Sequence, residues 1–104
     1  MQTFKQISVE QAHDILDEGH VCLIDMRHPE KYQLEHVANA INIPEATIDE
    51  FIPQADQSQT TLIYCNHGNG SKRFSQYLCE QGFTSVYSID GGFAAWKQQY
   101  LSQD

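Results

Sequence analysis

The sequence has no long apolar run. The longest unbroken ones, such as Val21-Cys22-Leu23-Ile24, are four residues, far short of the roughly 20 residues a helix needs to cross a bilayer. Positive charge is scarce. Six Lys and Arg stand against fourteen Asp and Glu, a formal net charge of −8. A surface of that sign repels phosphate backbones and anionic lipid, so neither nucleic acid nor a membrane is an expected partner. A small anion is not excluded, because backbone N–H groups can hold one whatever the global charge. Cysteine is sparse and odd in number: Cys22, Cys65 and Cys79, with no C-x-x-C. That argues against a disulfide framework and a structural zinc site, and no metal is expected. No repeat and no low-complexity segment is present. With 104 residues, the expectation is one domain over 1–104, without a separate cofactor domain. Met1-Gln2-Thr3-Phe4-Lys5-Gln6 contains no apolar leader segment, so the expected compartment is a reducing cytoplasm.

What is there alternates between helix and strand. Ser8-x-x-Gln11 forms a capping-box pattern ahead of Val9, Ala12, Ile15 and Leu16 at helical spacing, with Gly19 as a stop. The run 21–24 reads as a strand buried on both faces. Pro29 opens a short helix through about residue 34. Residues 40–43 read as a short strand ended by Pro44. Thr47-x-x-Glu50 reads as a second capping box before Phe51 and Ile52. Further strands are expected at 61–64 and 86–89. Helices are expected around Phe74, Tyr77 and Leu78, stopped by Gly82, and over 93–100. This alternation predicts an α/β fold, a parallel sheet with helices on both faces.

The chemistry concentrates in Cys65-Asn66-His67-Gly68-Asn69-Gly70-Ser71, which joins a buried strand to a helix. In parallel α/β folds ligands bind at the carboxyl ends of strands, where Cys65 stands. Two glycines and two asparagines tolerate positive φ, so the loop can curl with its N–H groups inward as an anion nest. The next helix adds free N–H groups and its positive dipole end. Lys72 and Arg73 add formal charge. All of this favours a thiolate at Cys65; cysteines at helix N-termini reach pKa values of about 3.5–7.5. The plainer reading is a tight turn with a small buried hydrophobe. For Cys22 inside an apolar strand, and Cys79 in mid-helix, that plainer reading prevails. Cysteine phosphatases need an Arg six positions after the nucleophile to fork onto phosphate. Here that position is Ser71, and Arg73 comes two residues too late.

At these residues the sequence resembles the rhodanese family of sulfurtransferases, and most of all its short single-domain thiosulfate sulfurtransferases of the GlpE type. Leu23-Ile24-Asp25-Met26-Arg27 is similar to the family's hydrophobic-Asp-x-Arg strand end, with Pro29-Glu30-Lys31-Tyr32 as the short helix after it. The segment from Glu35 to Pro44 resembles Gly-His-Ile-x-Gly-Ala-x-Asn-Ile-Pro. Cys65 to Gly70 resembles the six-residue active-site loop, and Asp90-Gly91-Gly92-Phe93-Ala94-Ala95-Trp96 the Gly-Gly-x-x-x-Trp ending. Glu35 and Asn39 replace glycines of that pattern, and Gly70 stands where a hydroxyl residue is common.

The resemblance implies a five-stranded, mostly parallel sheet with helices on both faces. It implies a thiosulfate:cyanide sulfurtransferase with Cys65 as the nucleophile and no cofactor beyond a covalent persulfide on Cys65. Asn66, His67, Gly68, Asn69, Gly70, Ser71 and Lys72 would form the substrate- and persulfide-binding loop. Asp25 and Arg27 would support it from behind, with Arg27 paired to a carboxylate. Thiosulfate would be the donor; cyanide, a small thiol or a thioredoxin-like protein would be the acceptor. The implied state is a monomer or weak homodimer. His67 could protonate a leaving group or simply face solvent. Lys72 could attract the donor or be a solvated charge. His13, His20, His28 and His36 show no ligand spacing. The competing classes are a sulfur carrier or non-enzymatic binding module of the same fold, and a thiolate phosphatase or arsenate reductase, against which Ser71 argues.

Overall fold

The apolar runs become the middle of a parallel sheet. In the computed structural model, which describes residues 3–101, the strands are β1 (Lys5–Ile7), β2 (Cys22–Asp25), β3 (Ile41–Asn42), β4 (Thr61–Tyr64) and β5 (Val86–Ile89). They lie in the order β1-β5-β4-β2-β3, and all four pairings are parallel. Central β4 is buried at every position. Alternate residues of a strand face opposite sides, and the core divides accordingly. Leu23, Leu62, Tyr64 and Ile89 pack with Ala12, Phe93 and Trp96 on one side. Ile24, Ile63 and Val86 pack with Ile48, Phe74, Leu78 and Phe83 on the other. Helices α1 (Val9–Glu18) and α5 (Gly92–Trp96) therefore cover one face, and α3 (Ile48–Phe51) and α4 (Gly70–Glu80) the other. Helix α2 (Pro29–Leu34) follows β2.

Local sequence explains most of these elements. Ser8 Oγ accepts the Gln11 N–H at 3.1 Å, and Gln11 Oε1 accepts the Ser8 N–H at 2.9 Å, so the first capping box forms as read. Gly19 ends α1 at φ +82°.

Three expectations need correction, and one strand, β1, goes unread in the sequence. β1 has no apolar alternation to announce it; it exists because its backbone pairs with β5. β3 holds only Ile41 and Asn42, because the Ala40 N–H closes a turn onto Val37 O at 3.0 Å. The second capping box does not form. Thr47 closes a 3-10 turn (Glu45–Thr47), and its hydroxyl donates to Pro44 O at 3.2 Å instead of accepting from α3. The last helix stops at Trp96 and widens into a π-turn over Lys97–Leu101.

The topology positions the site. β2 and β4 are neighbours with Asp25 opposite Tyr64, and the Met26 N–H donates to Tyr64 O at 3.0 Å. The segments leaving these two strands, one carrying Arg27 and the other Cys65, therefore emerge side by side.

Candidate active site

Cys65 is the first residue after β4 and is 9% exposed. Its Sγ accepts the Gly68 N–H at 3.1 Å and the Ser71 N–H at 3.3 Å, and lies 3.6 Å from Ser71 Oγ. The Asn69 side chain does not cap α4; the Ser71 N–H, free because the helix has only just begun, goes to the sulfur. Burial alone would push the Cys65 thiol up. The hydroxyl of Ser71 and the N–H groups of Ser71, Gly68 and His67 outweigh it and leave the thiol below its ordinary value. This differs from the sequence expectation in one respect: hydrogen bonds, not the cations of the first turn, lower it. Arg73 instead pairs with Glu45 at 3.5 Å. Lys72 is exposed and makes no ion pair among the described residues.

The curl of the loop needs positive φ only at Gly68, at +98°, and not at Asn66, Asn69 or Gly70. A Cβ at Gly68 would come within 2.8 Å of Gly91 N, so glycine is required twice over. The loop's carbonyls are drawn outward. Cys65 O accepts the Phe93 N–H at 2.8 Å, and Asn66 O the Ala94 N–H at 3.0 Å. With the carbonyls tied to α5, the N–H groups turn to the sulfur. Gly92 permits this approach, since a Cβ there would lie 2.4 Å from Cys65 O. Sequence reading treats Gly91-Gly92 only as a tight connection; the dipeptide itself was the available signal for this clamp.

Beside the loop lies a buried ionic network. Arg27 Nη2 and Nε donate to Asp25 Oδ2 at 2.7 and 3.1 Å, and Nε also to Oδ1 at 3.1 Å. Nη2 further donates to Glu35 O at 2.7 Å. The guanidinium carbon sits 4.0 Å from the Phe93 ring centroid, a cation–π contact. Tyr64 Oη donates to Asp25 Oδ2 at 2.6 Å. Burial first, then the hydrogen bond to Asp25, pushes that phenol well above its usual range. Asn42 Nδ2 donates to the carbonyls of Asp25 and Arg27 at 2.9 and 3.0 Å. Asp25 and Arg27 are 0% and 6% exposed, and they brace β2, β3 and β4 against α5 without bonding to Sγ.

Met26, Arg27, His28 and Pro29 join Pro44, Glu45, Ala46, Thr47, Cys65 and Asn66 around an open cleft of about 690 Å³. The Nε and Nη2 donors of Arg27 are committed to Asp25 and Glu35 O, and the donors that reach the sulfur itself are the Gly68 and Ser71 N–H groups and the Ser71 hydroxyl. His67 is exposed and acts on Cys65 through its backbone N–H. Among the described residues no three His, Cys, Asp or Glu side chains gather to hold a metal ion. No helix of the described residues is long and apolar enough to cross a membrane. Cys22 is half-buried and Cys79 buried; burial raises both thiols.

The model of the rhodanese-like domain matches residues 8–99. The chain belongs to that family. Similar solved structures include a rhodanese-related protein from Thermoplasma volcanium, at 22% identity over 93% of this chain and 94% of that one, with a TM-score of 0.83. A rhodanese-like domain protein from Staphylococcus aureus shares 26% identity over 89% and 91% of the two chains, with a TM-score of 0.80. A rhodanese-like domain from Anabaena sp. shares 23% identity over 91% and 74%, with a TM-score of 0.84. The family's fold accommodates the two substituted glycines of the His36 segment. Asn39 takes the left-handed conformation at φ +70°, which Asn tolerates better than most residues. Glu35 is extended at φ −169°, where any residue fits.

Proposed function

We propose that this rhodanese-like domain is a sulfurtransferase that takes sulfur from thiosulfate through Cys65. The Cys65 thiolate attacks the outer sulfur of thiosulfate. A Cys65–S bond forms, the bond from that sulfur to the sulfite sulfur breaks, and sulfite leaves with the electron pair. Cys65 then carries a persulfide anion. In the second half-reaction cyanide, or the thiolate of a small thiol or thioredoxin-like protein, attacks the outer sulfur, and the Cys65 thiolate leaves. The products are thiocyanate or an acceptor persulfide, and total charge is conserved in both steps. This is covalent catalysis with ping-pong kinetics, and it calls for no general base when the thiol is already ionised.

The observation that carries the reading is the convergence of the Gly68 N–H, the Ser71 N–H and the Ser71 hydroxyl on one sulfur beside an open cleft. Fixed donors aimed at an anionic sulfur favour the thiolate and the persulfide alike. The absence of an arginine at position 71, with Arg73 turned to Glu45, disfavours phosphate chemistry. The test is intact mass after brief incubation with thiosulfate, then after cyanide. One added sulfur that maps to Cys65, disappears with cyanide and is absent in Cys65→Ser is the expected result. Full sulfur transfer by Cys65→Ser, or no adduct on a reduced and accessible Cys65, would overturn it.

A further inference from the structure

The active-site hydroxyl of Ser71 has a partner that none of the chemistry above uses. Ser88, on β5, is completely buried, and its Oγ lies 2.8 Å from Ser71 Oγ. That is the shortest contact Ser71 Oγ makes; Gly68 O is at 3.3 Å and Cys65 Sγ at 3.6 Å. A serine hydroxyl has one proton and can accept two. When Cys65 is a thiolate or persulfide it can only accept. Ser71 can give its proton to the sulfur, or to Gly68 O, only if that proton is not turned to Ser88, and Ser88 then gives its own proton to Ser71. When Cys65 is a thiol, its S–H can point at Ser71 Oγ and the Ser71 proton can turn to Ser88. The two buried hydroxyls therefore form a chain whose direction follows the charge on sulfur. Donation from Ser88 polarises the Ser71 hydroxyl, and the short contact holds its rotamer against the pull of Gly68 O. A serine in the middle of Val86-Tyr87-Ser88-Ile89, with 0% exposure, otherwise has little reason to replace an apolar residue.

We propose that Ser88 is a positioning residue for the reactive sulfur: by donating to Ser71 at 2.8 Å it holds that hydroxyl in place and keeps its single proton available to Cys65. The proposal rests on the reading of Cys65 as a nucleophilic thiolate, but not on thiosulfate as its donor. Other charged and titratable groups on the elements around Cys65 are Asp25 on β2, Tyr64 on β4, Arg27, His28 and Glu45 at the cleft, His67 in the loop, Lys72, Arg73, Tyr77, Cys79 and Glu80 on α4, Tyr87 on β5 and Asp90 after it. Among the described residues Ser88 Oγ bonds to Ser71 and to none of these.

The experiment is the pH profile of iodoacetamide alkylation at Cys65, followed by peptide mass, in the full chain without any sulfur donor. The variants are Ser88→Ala, Ser71→Ala and the double variant. Ser88→Ala should move the Cys65 midpoint up by about half a pKa unit, slowing alkylation about threefold on the acid limb. Ser71→Ala should move it by about one unit, and the double variant should match Ser71→Ala. Ser88→Cys, nearly equal in size but a weak donor, gives the same reading should the alanine variant unfold. A Ser88→Ala profile superimposed on a depressed wild-type profile would overturn the role of Ser88 alone. An equal shift with Ser71 already removed would overturn the relay. An ordinary wild-type midpoint would overturn the thiolate reading itself.

Discussion

Replacing Gly92 with alanine tests whether α5 holds the Cys65 loop in shape. The added Cβ would fall 2.4 Å from Cys65 O and 2.9 Å from both Asn66 C and Asn66 O. All three are backbone atoms and cannot swing aside. Gly92 also sits at φ +58°, which costs an L side chain about 1–2 kcal/mol. Overlap in a packed region adds about 1–3 kcal/mol. The sum is about 2–5 kcal/mol, which for a domain of this size lowers Tm by about 10–30 °C. Relief requires α5 to move away, lengthening the Phe93-to-Cys65 and Ala94-to-Asn66 hydrogen bonds that now stand at 2.8 and 3.0 Å. The released carbonyls would let the loop N–H groups turn from the sulfur. Thermal unfolding and the Cys65 alkylation rate should therefore fall together. Gly19→Ala is the control. Gly19 has φ +82° and ψ 177° with nothing within 4 Å of an added Cβ, so an alanine there costs about 1–3 kcal/mol of backbone strain without the overlap, and should lower Tm while leaving Cys65 reactivity unchanged. A Gly92→Ala protein that keeps wild-type Cys65 reactivity would refute the clamp.

Gly70→Ser should be tolerated, because its Cβ would meet the flexible tip of Met26 at 3.4 Å and the Cβ and Sγ of Cys65 at 3.8 Å, with no backbone atom nearer. With a new hydroxyl beside the sulfur, the alkylation midpoint of Cys65 should fall; a rise would contradict the donor argument. Arg27→Met strands a fully buried Asp25 carboxylate and should cost about 3–5 kcal/mol in denaturant unfolding, against almost nothing if the pair were idle. The lowered Cys65 pKa also has a stability signature. An acid depressed by folding stabilises the native state above its unfolded pKa and loses that contribution as pH falls through the folded one. The unfolding free energy of wild type relative to Cys65→Ser should therefore rise with pH across that window, and parallel curves would argue against the Sγ contacts.

The parts of this fold that depend on local chemistry were legible in the sequence. The Ser8–Gln11 pair announces α1, the apolar run before Asp25 announces β2, and Cys65 with its glycines announces a loop whose N–H groups meet the sulfur. The features that escaped are tertiary. β1 is recruited by the edge of β5 and carries almost no pattern of its own. Thr47 has the spacing of a capping residue, yet the carbonyl of Pro44 takes its hydroxyl first. Positive φ was expected across the loop, but Gly68 alone supplies it, since hydrogen bonds from α5 fix the remaining carbonyls. Ser88 was invisible because a strand position gives no hint that its neighbour across the layer is the hydroxyl of Ser71.

The acceptor for the Ser71 N–H is the Cys65 sulfur. A helix normally closes its first turn on an inert oxygen; in the proposed sulfur transfer the closing atom would gain and lose a bond to the passing sulfur. Conversion between thiolate and persulfide would leave Sγ in place on Cys65, so α4 would stay anchored through both proposed half-reactions. A bulky adduct or oxygen on that sulfur would crowd the Ser71 N–H off it. The opening turn of α4 would then act as a gauge of the sulfur's condition: modification of Cys65 would be written into the backbone as fraying, legible in amide exchange at Ser71.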